Sequence, residues 1–419
     1  MMRFLCLALL LISTSLRAQL SAPPLKITWE IIENSHQGKT ASLTAFTLTN
    51  TGKKLLPKSG WSLYFNFVRK VDTTLSADVK IRHINGDLFQ LTPTANFQGL
   101  KAGASMQINF VSEAWVINFT DGPAGLYWVW EQQPERGYSL TDYSIKPSTQ
   151  LRQSQRFAGD KLSFVTPEMT FAQNKTTQNI SESELPKIVP SPQQYRERGT
   201  PYVITPQVII SVPAAFREEA SFLGTQLSAM LGVPLAFSTE KSTSGIVFKE
   251  EAMPKEAYRL MVNQNGIEII AADRAGAFYG VQSLLALLPP AAWAKTQTSL
   301  SVVGVEVTDQ PRFGHRAIML DVARNFHSKK QLLKLLDLMG FYKLNVLHLH
   351  FSDDEGWRLE IPSLPELTQV GAVRGHTNTP HKHLQPAYGS GPDATQNAGT
   401  GYYSRQDFVE ILRYANVRH

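Results

Sequence analysis

Cysteine is nearly missing from this chain of 419 residues, which holds only Cys6. Cys6 lies within the apolar run Phe4 to Ile12, which follows Arg3 and gives way to small and polar residues ending at Ala18. A basic start, a short apolar stretch and a small-residue exit form the grammar of an export signal, so residues 1–18 are expected to be removed. A mature chain cut there holds no cysteine, which excludes disulfide staples, a thiolate nucleophile and cysteine metal sites. The apolar run mostly follows Cys6, the wrong order for an acyl anchor. Long apolar runs are missing too: none after the first twenty residues reaches the ~18 needed to span a bilayer, so no stable membrane insertion is expected after cleavage. Nor does one sign of charge dominate. Lys and Arg number 41 against 35 Asp and Glu, and the net +6 is spread without a dense basic tract, which points to a solvated surface and to no nucleic-acid partner.

What is present is a soluble globular composition, 42% hydrophobic and 18% charged. The length suggests two or three domains of roughly 100 to 200 residues. Residues 24–143 are short alternating runs broken by turns, such as Ala41 to Leu48 before Asn50-Thr51-Gly52, which is the rhythm of a β-sandwich. Trp115, Tyr127, Trp128 and Trp130 cluster late in this segment. Exposed rings there would stack on sugars, but alternation sends Tyr127 and Trp128 to opposite faces, so at least one set is expected in the core. Residues 144–184, rich in Ser, Thr, Gln and Asn, read as a loose connecting segment. Residues 185–310 read as a small α+β domain. A helix with Phe216, Leu223, Leu227 and Met230 on one stripe stops at Gly232, a hairpin turns at Asn265-Gly266, and a second helix, Ala275 to Leu288, ends at Pro289-Pro290.

From 311 to 419 the pattern changes to β-α-β. Ala317 to Val322 is a near-continuous apolar run suited to a strand buried on both faces. Ser328 caps a helix striped by Leu332, Leu335, Leu336 and Met339, and Asn345 to Phe351 returns as a parallel strand. Ser404 to Asp407 opens a further helix. Two such repeats fit the start of a (β/α)8 TIM barrel, incomplete within the 419 residues because a closed barrel takes about 250.

The densest polar cluster, His348 to Arg358, lies at the carboxyl end of the second strand, where sites of such barrels form. Arg324 sits just past the first strand and is expected to face the same pocket, as a fixed fork of donors for sugar hydroxyls or as a surface ion pair. Asp353 and Glu355, two apart, are spaced between the retaining and inverting separations of a glycosidase carboxylate pair, and also suit loop capping. His348 and His350, with Asp353 as a third ligand, would suit a metal-dependent hydrolase; histidines packed inside a barrel are the alternative.

Pro311-Arg312-Phe313, His315-Arg316, Leu320 to Arg324 and Leu344 to Arg358, followed by Leu359 to Leu367, resemble the opening of glycoside hydrolase family 20, in its chitobiase-like branch. Leu185-Pro186, Val189 to Pro192 and Phe278 to Gln282 are similar to that family's accessory α+β domain, and the first segment to the carbohydrate-binding-type sandwich in front of chitobiases. The resemblance implies a β-N-acetylhexosaminidase that removes terminal N-acetylglucosamine or N-acetylgalactosamine from oligosaccharides, with no cofactor and no metal. It implies that the substrate's own acetamido oxygen is the nucleophile, helped by an Asp-Glu pair after a His-x-Gly-Gly stretch. That stretch does not occur in the 419 residues and is expected beyond His419, so the chain by itself is expected to hydrolyse no aryl N-acetylglucosaminide; turnover by pure protein would overturn this. A non-catalytic sugar-binding protein is the alternative reading. By the same resemblance Arg324 binds the substrate, Asp353 supports the catalytic Glu through a histidine, and His350, Asp354 and Trp357 line the pocket.

Overall fold

The computed structural model describes residues 20–419 apart from 182, 183, 241, 243 and 380, so the expected export signal and Cys6 lie outside the described residues. The chain divides into two units: the residues through Thr166 together with Arg374–Asn397, and Pro167–Val373 together with Ala398–His419.

The first unit is a sandwich of two five-stranded sheets. In one, Leu25–Glu33 lies between Tyr143–Ile145 and Ala41–Asn50, followed by Ser105–Glu113 and Val71–Thr74. In the other the order is Val79–Asn85, Leu88–Pro93, Trp61–Asn66, Ala124–Trp130, Gly137–Ser139. Leu25, Ile27, Trp29 and Ile31 alternate inward along the first strand and meet Phe46, Leu63, Phe110 and Trp128 between the sheets. Each such side chain, fully buried, contributes about 1.5–3 kcal/mol. Trp61 stacks on Trp128 with ring centroids 4.3 Å apart.

Trp61–Asn66 is buried at every position, which a sheet with one wet face does not produce. The outer face is covered: Tyr64, Leu88, Tyr127 and Val129 form a second small core, and the His376 ring packs on both tyrosines. Alternation therefore holds, with Trp128 in the main core and Tyr127 opposite. Both rings are fully buried, so neither presents a surface for sugar stacking. The cover is the segment Arg374–Asn397. Asn66 Nδ2 donates to Pro386 O at 3.0 Å, Gly389 N to Asn66 Oδ1 at 3.1 Å, and Tyr388 N to Asp87 Oδ2 at 3.0 Å. The approach is close enough that a Cβ on Gly125, which has φ +60°, would lie 2.6 Å from Gly389 Cα.

His376 Nε2–H donates to Pro134 O at 2.9 Å, which leaves Nδ1 to accept from Tyr127 OH at 3.1 Å. Burial holds the His376 pKa below 6.5. The unfolded chain then binds the extra proton first, so stability is full above about pH 6.5 and is lost as pH falls through the folded value. Acidification is expected to lower the hydrogen-exchange protection factors in Arg374–Asn397, and His376→Gln to flatten that dependence. Protection factors unchanged between pH 7 and 5 would refute it.

The segment after Ser144 is tied down over its first part. Tyr143–Ile145 pairs parallel with Leu25–Glu33, Gln153 Nε2 donates to Ile31 O at 2.7 Å, and buried Asn34 bonds Val116 O and Ser154 O. Gln153, one of the polar side chains that suggested a loose connection, supplies one of these bonds.

In the second unit a seven-stranded mixed sheet runs Gln194–Glu197, Val305–Asp309, Tyr258–Asn263, Gly266–Ala271, Gly245–Glu250, Ile209–Ser211, Ala236–Ser238. The Asn265-Gly266 hairpin forms, with Val262 opposite Ile267. Arg217–Leu231 ends on left-handed Gly232, and Arg274–Ala286, capped by Asp273, packs onto the sheet. Gly276 is required at that start, because a Cβ there would lie 2.2 Å from Ala257 O.

The parallel strands Ala317–Asp321 and Val346–His350 flank the helix Lys329–Phe341, and Arg405–Asn416 packs on that helix. Capping boxes at Ser328 and Ser404 start both helices. Ile318, Leu320, Leu347 and Leu349 pack toward the helices, while Ala317, Met319 and His348 on the other face are exposed. Only the helix side of this strand pair is covered among the described residues.

The α+β part and the strand pair are joined by buried charge. Arg316 Nη2 donates to Glu256 Oε2 at 2.7 Å and Tyr279 OH at 2.8 Å. Lys343 Nζ donates to Tyr258 OH at 2.9 Å and Asp309 Oδ2 at 3.1 Å. These groups line a cavity of about 490 Å³ at the amino-terminal side of the second strand, away from the carboxyl-end cluster.

Candidate functional site

The cluster is assembled by two strand ends and one tight hairpin. Asp321 and His350 end the parallel strands in register with each other, which puts both at the same carboxyl edge. Beyond Asp321 the chain turns at once: Asp321 Oδ1 accepts from Ala323 N at 2.9 Å and Arg324 N at 3.0 Å, an Asx-type turn that returns Arg324 over the strand. Beyond His350, Ser352–Asp353 pairs with Gly356–Trp357, leaving Asp354 and Glu355 as a two-residue tip.

These turns bring three carboxylates to one guanidinium. Arg324 Nη1 lies 3.0 Å from Asp321 Oδ2 and 2.7 Å from Asp353 Oδ2, and Arg324 Nε lies 3.2 Å from Glu355 Oε2. His350 Nε2 lies 2.8 Å from Asp353 Oδ2 and 3.1 Å from Arg324 Nη1. Partial burial works against the charges of both Arg324 and Asp321, yet their mutual bonds prevail and hold Arg324 above and Asp321 below their ordinary values. Asp353 is held low by the Asp354 backbone N–H on Oδ1, at 2.8 Å, and by His350. Burial pushes Glu355 up, against the pull of Arg324. Asp321, bonded to Arg324, and Asp353, bonded to the Asp354 N–H and His350, are thus held ionised, while Glu355 takes up a proton more readily than a free carboxyl. The arrangement is a rigid, partly exposed fork that presents charge-assisted hydrogen bonds.

Of the residues singled out in the sequence, Arg324, His350, Asp353 and Glu355 come together. Asp354 does so only through its backbone; its side chain is exposed at the hairpin tip. Trp357 packs beside Gly371, with its indole N–H given to Leu359 O. His348 is exposed on the strand face, and among the described residues no group of three or more His, Cys, Asp or Glu side chains could hold a metal ion. Pairing Asp353 with Glu355 as acid and nucleophile also loses its basis, because both are bound to Arg324.

Two members were not singled out in the sequence. Asp321 could have been found, as a carboxylate three residues before an arginine at a strand end. Arg358 could not: it is fully buried and spends all five N–H groups on backbone carbonyls, those of Val322, Ala323, Ala372, Gly399 and Gly401, at 2.7 to 3.2 Å. It fastens the turn that carries Arg324 to the two stems of the segment 374–397. Gly356 makes room for it, since a Cβ there would lie 2.5 Å from Arg358 Nη2.

Comparison with known proteins assigns the successive segments of the chain. Residues 25–178 match a family model described as a putative carbohydrate binding domain, 185–310 match glycosyl hydrolase family 20, domain 2, and 313–419 match the glycosyl hydrolase family 20 catalytic domain. The chain is 34% identical over 391 residues to the N,N'-diacetylchitobiase of Vibrio harveyi, covering 89% of this chain and 42% of that protein. It is 34% identical over 392 residues to a beta-hexosaminidase of Vibrio vulnificus, covering 89% and 44%. It thus spans less than half the length of these relatives. A Vibrio harveyi GH20 exo beta-N-acetylglucosaminidase, solved in complex with N-acetylglucosamine, shares the fold with a TM-score of 0.73 at 23% identity over 94% of this chain and 56% of that one. Three successive matches in the order of that architecture, covering almost all the described residues, show that the chain belongs to glycosyl hydrolase family 20.

Proposed function

We propose that this chain is the substrate-gripping part of an exported β-N-acetylhexosaminidase that removes terminal β-linked N-acetylhexosamine from chito-oligosaccharides or glycans. The observation that carries the proposal is the Arg324 fork, held by Asp321, Asp353 and Glu355 at the carboxyl ends of two parallel strands. In this role Arg324 takes the hydroxyls on carbons 3 and 4 of the terminal sugar. Asp353 keeps the fork in register through its bond to His350. Retention of configuration follows from attack by the substrate's acetamido oxygen, and we assign the acid–base step to none of the 419 residues. Export rests on Arg3, the run from Phe4 to Ile12 and Ala18.

The test is titration of N-acetylglucosamine into the chain by calorimetry. Arg324→Ala is expected to weaken binding at the fork at least about tenfold, the worth of one charge-assisted pair. In the protein that carries the acid–base pair, the same change is expected to raise KM and lower kcat, because the grip tightens at the transition state. Unchanged affinity would remove Arg324 from the site. Export is checked by amino-terminal sequencing of protein recovered outside the cytoplasm; an intact Met1 would refute it.

A further inference from the structure

The sandwich carries a second polar concavity, far simpler in its chemistry than the Arg324 fork. A groove of about 440 Å³ lies on the outer face of the second sheet, within the first unit, in the size range of small-molecule clefts. Its floor is polar although almost buried: Ser62, Tyr64 and Gln90 are each less than a tenth exposed. Gln90 Nε2 donates to Ser62 Oγ at 2.9 Å and to Tyr64 OH at 2.8 Å, so both hydroxyls act as acceptors toward Gln90 and keep their own protons to give elsewhere. Burial raises the Tyr64 pKa, which keeps that phenol a donor. Gln90 Oε1 accepts from Arg82 Nε at 2.5 Å, which orients an exposed guanidinium whose terminal amino groups have no other partner among the described residues. Across the groove stand the Glu131 carboxylate and Asn378, whose Nδ2 is given to Pro134 O at 2.7 Å and whose Oδ1 is left to accept.

We propose that this groove is a subsite for one neutral, polyhydroxylated ring of an oligosaccharide, taken by Arg82, Tyr64 and Ser62 as donors and by Glu131 and Asn378 as acceptors. Donors and acceptors on opposing walls suit hydroxyl and acetamido groups, each of which both gives and takes hydrogen bonds. An anion would meet Glu131, and a cation Arg82. The buried aromatics leave no stacking platform, so recognition is by hydrogen bonds and is weaker than at a site with a ring face. The choice of sugar as occupant rests on the reading of the chain as a chito-oligosaccharide hydrolase, and on the sandwich's match to a putative carbohydrate binding domain. The subsite holds a second part of a long substrate and raises its local concentration at the chain.

The experiment is calorimetric titration of chitotriose, with maltotriose as control, into the 419-residue chain and into Arg82→Ala, Glu131→Ala and Arg324→Ala, each with hydrogen exchange read over residues 80–93 and 128–136. Arg82 and Glu131 are exposed, so their truncation leaves both cores intact. The expected result is protection of those residues by chitotriose in wild type, at least a tenfold loss of that binding in Arg82→Ala and Glu131→Ala, and its persistence in Arg324→Ala. Absence of protection, or unchanged binding in both sandwich variants, would overturn the subsite while leaving Arg324 untouched. Persistence of all binding in Arg324→Ala, with loss in Arg82→Ala, would sink the fork and leave the subsite standing.

Discussion

Arg358→Met is expected to lower stability by about 4 kcal/mol or more, because it removes five hydrogen bonds to backbone carbonyls, and although Ala372 O keeps its bond from Gly401 N at 2.9 Å, each buried acceptor left without a partner costs about 1–3 kcal/mol. The carbonyls belong to three stretches of chain, 322–323, 372 and 399–401; the last two are also joined by the bond from Gly401 N to Ala372 O, and Arg358 ties both to the first. Loss of the guanidinium therefore loosens the turn that delivers Arg324 as well as the stems of 374–397. Arg358→Lys offers three donors for five acceptors and is expected to recover less than half the loss. Urea unfolding measures the free energy, and hydrogen exchange should rise first at 322–324 and 399–401. A midpoint within experimental error of wild type for both variants would refute the account. Weakened sugar binding in Arg358→Lys, at a temperature where the protein remains folded, is the expected functional consequence.

Asp309→Ala is expected to cost about 3–5 kcal/mol, since it leaves the Lys343 ammonium buried with only the Tyr258 hydroxyl beside it. Lys343→Met is expected to cost less. Asp309 then keeps the Tyr258 hydroxyl at 3.1 Å and the Gln193 and Gln310 backbone N–H groups at 3.2 and 3.0 Å, so its charge is not left alone. Burial holds Lys343 below its ordinary pKa of 10.5, in opposition to Asp309. Between the folded value and 10.5 the unfolded chain binds more protons, so the penalty of the buried ammonium is complete at neutral pH and is relieved as pH rises through that window. The gap between wild type and Asp309→Ala should accordingly narrow from pH 7 to about pH 10. Equal gaps in urea unfolding at the two pH values would show that Lys343 is not the group left unpaired.

The candidate site was half legible in the residues. Arg324, His350 and Asp353 stand at strand ends, and a strand end has a simple sequence signature, so their convergence was expected. Glu355 and Asp321 join them through a two-residue hairpin tip and an Asx turn, which are local shapes that a carboxylate-rich stretch permits without requiring. Arg358 could not be read as a structural centre, because its five acceptors are spread over 80 residues of chain and no spacing rule connects them.

By itself the sequence determined the order of the three kinds of architecture, the capped helices, the Asn265-Gly266 hairpin and the family, because each is written in short-range periodicity or in contiguous motifs. Only the tertiary structure decided which faces are buried. Burial depends on what else covers a strand: the segment 374–397 dries the outer face around Tyr64 and Tyr127, which no period in the strands themselves foretells. The tertiary structure likewise decided the partners of the charges. An isolated Arg324 offers donors to any acceptor, and it is the geometry of two strand ends and one turn that gives it Asp321, Asp353 and Glu355.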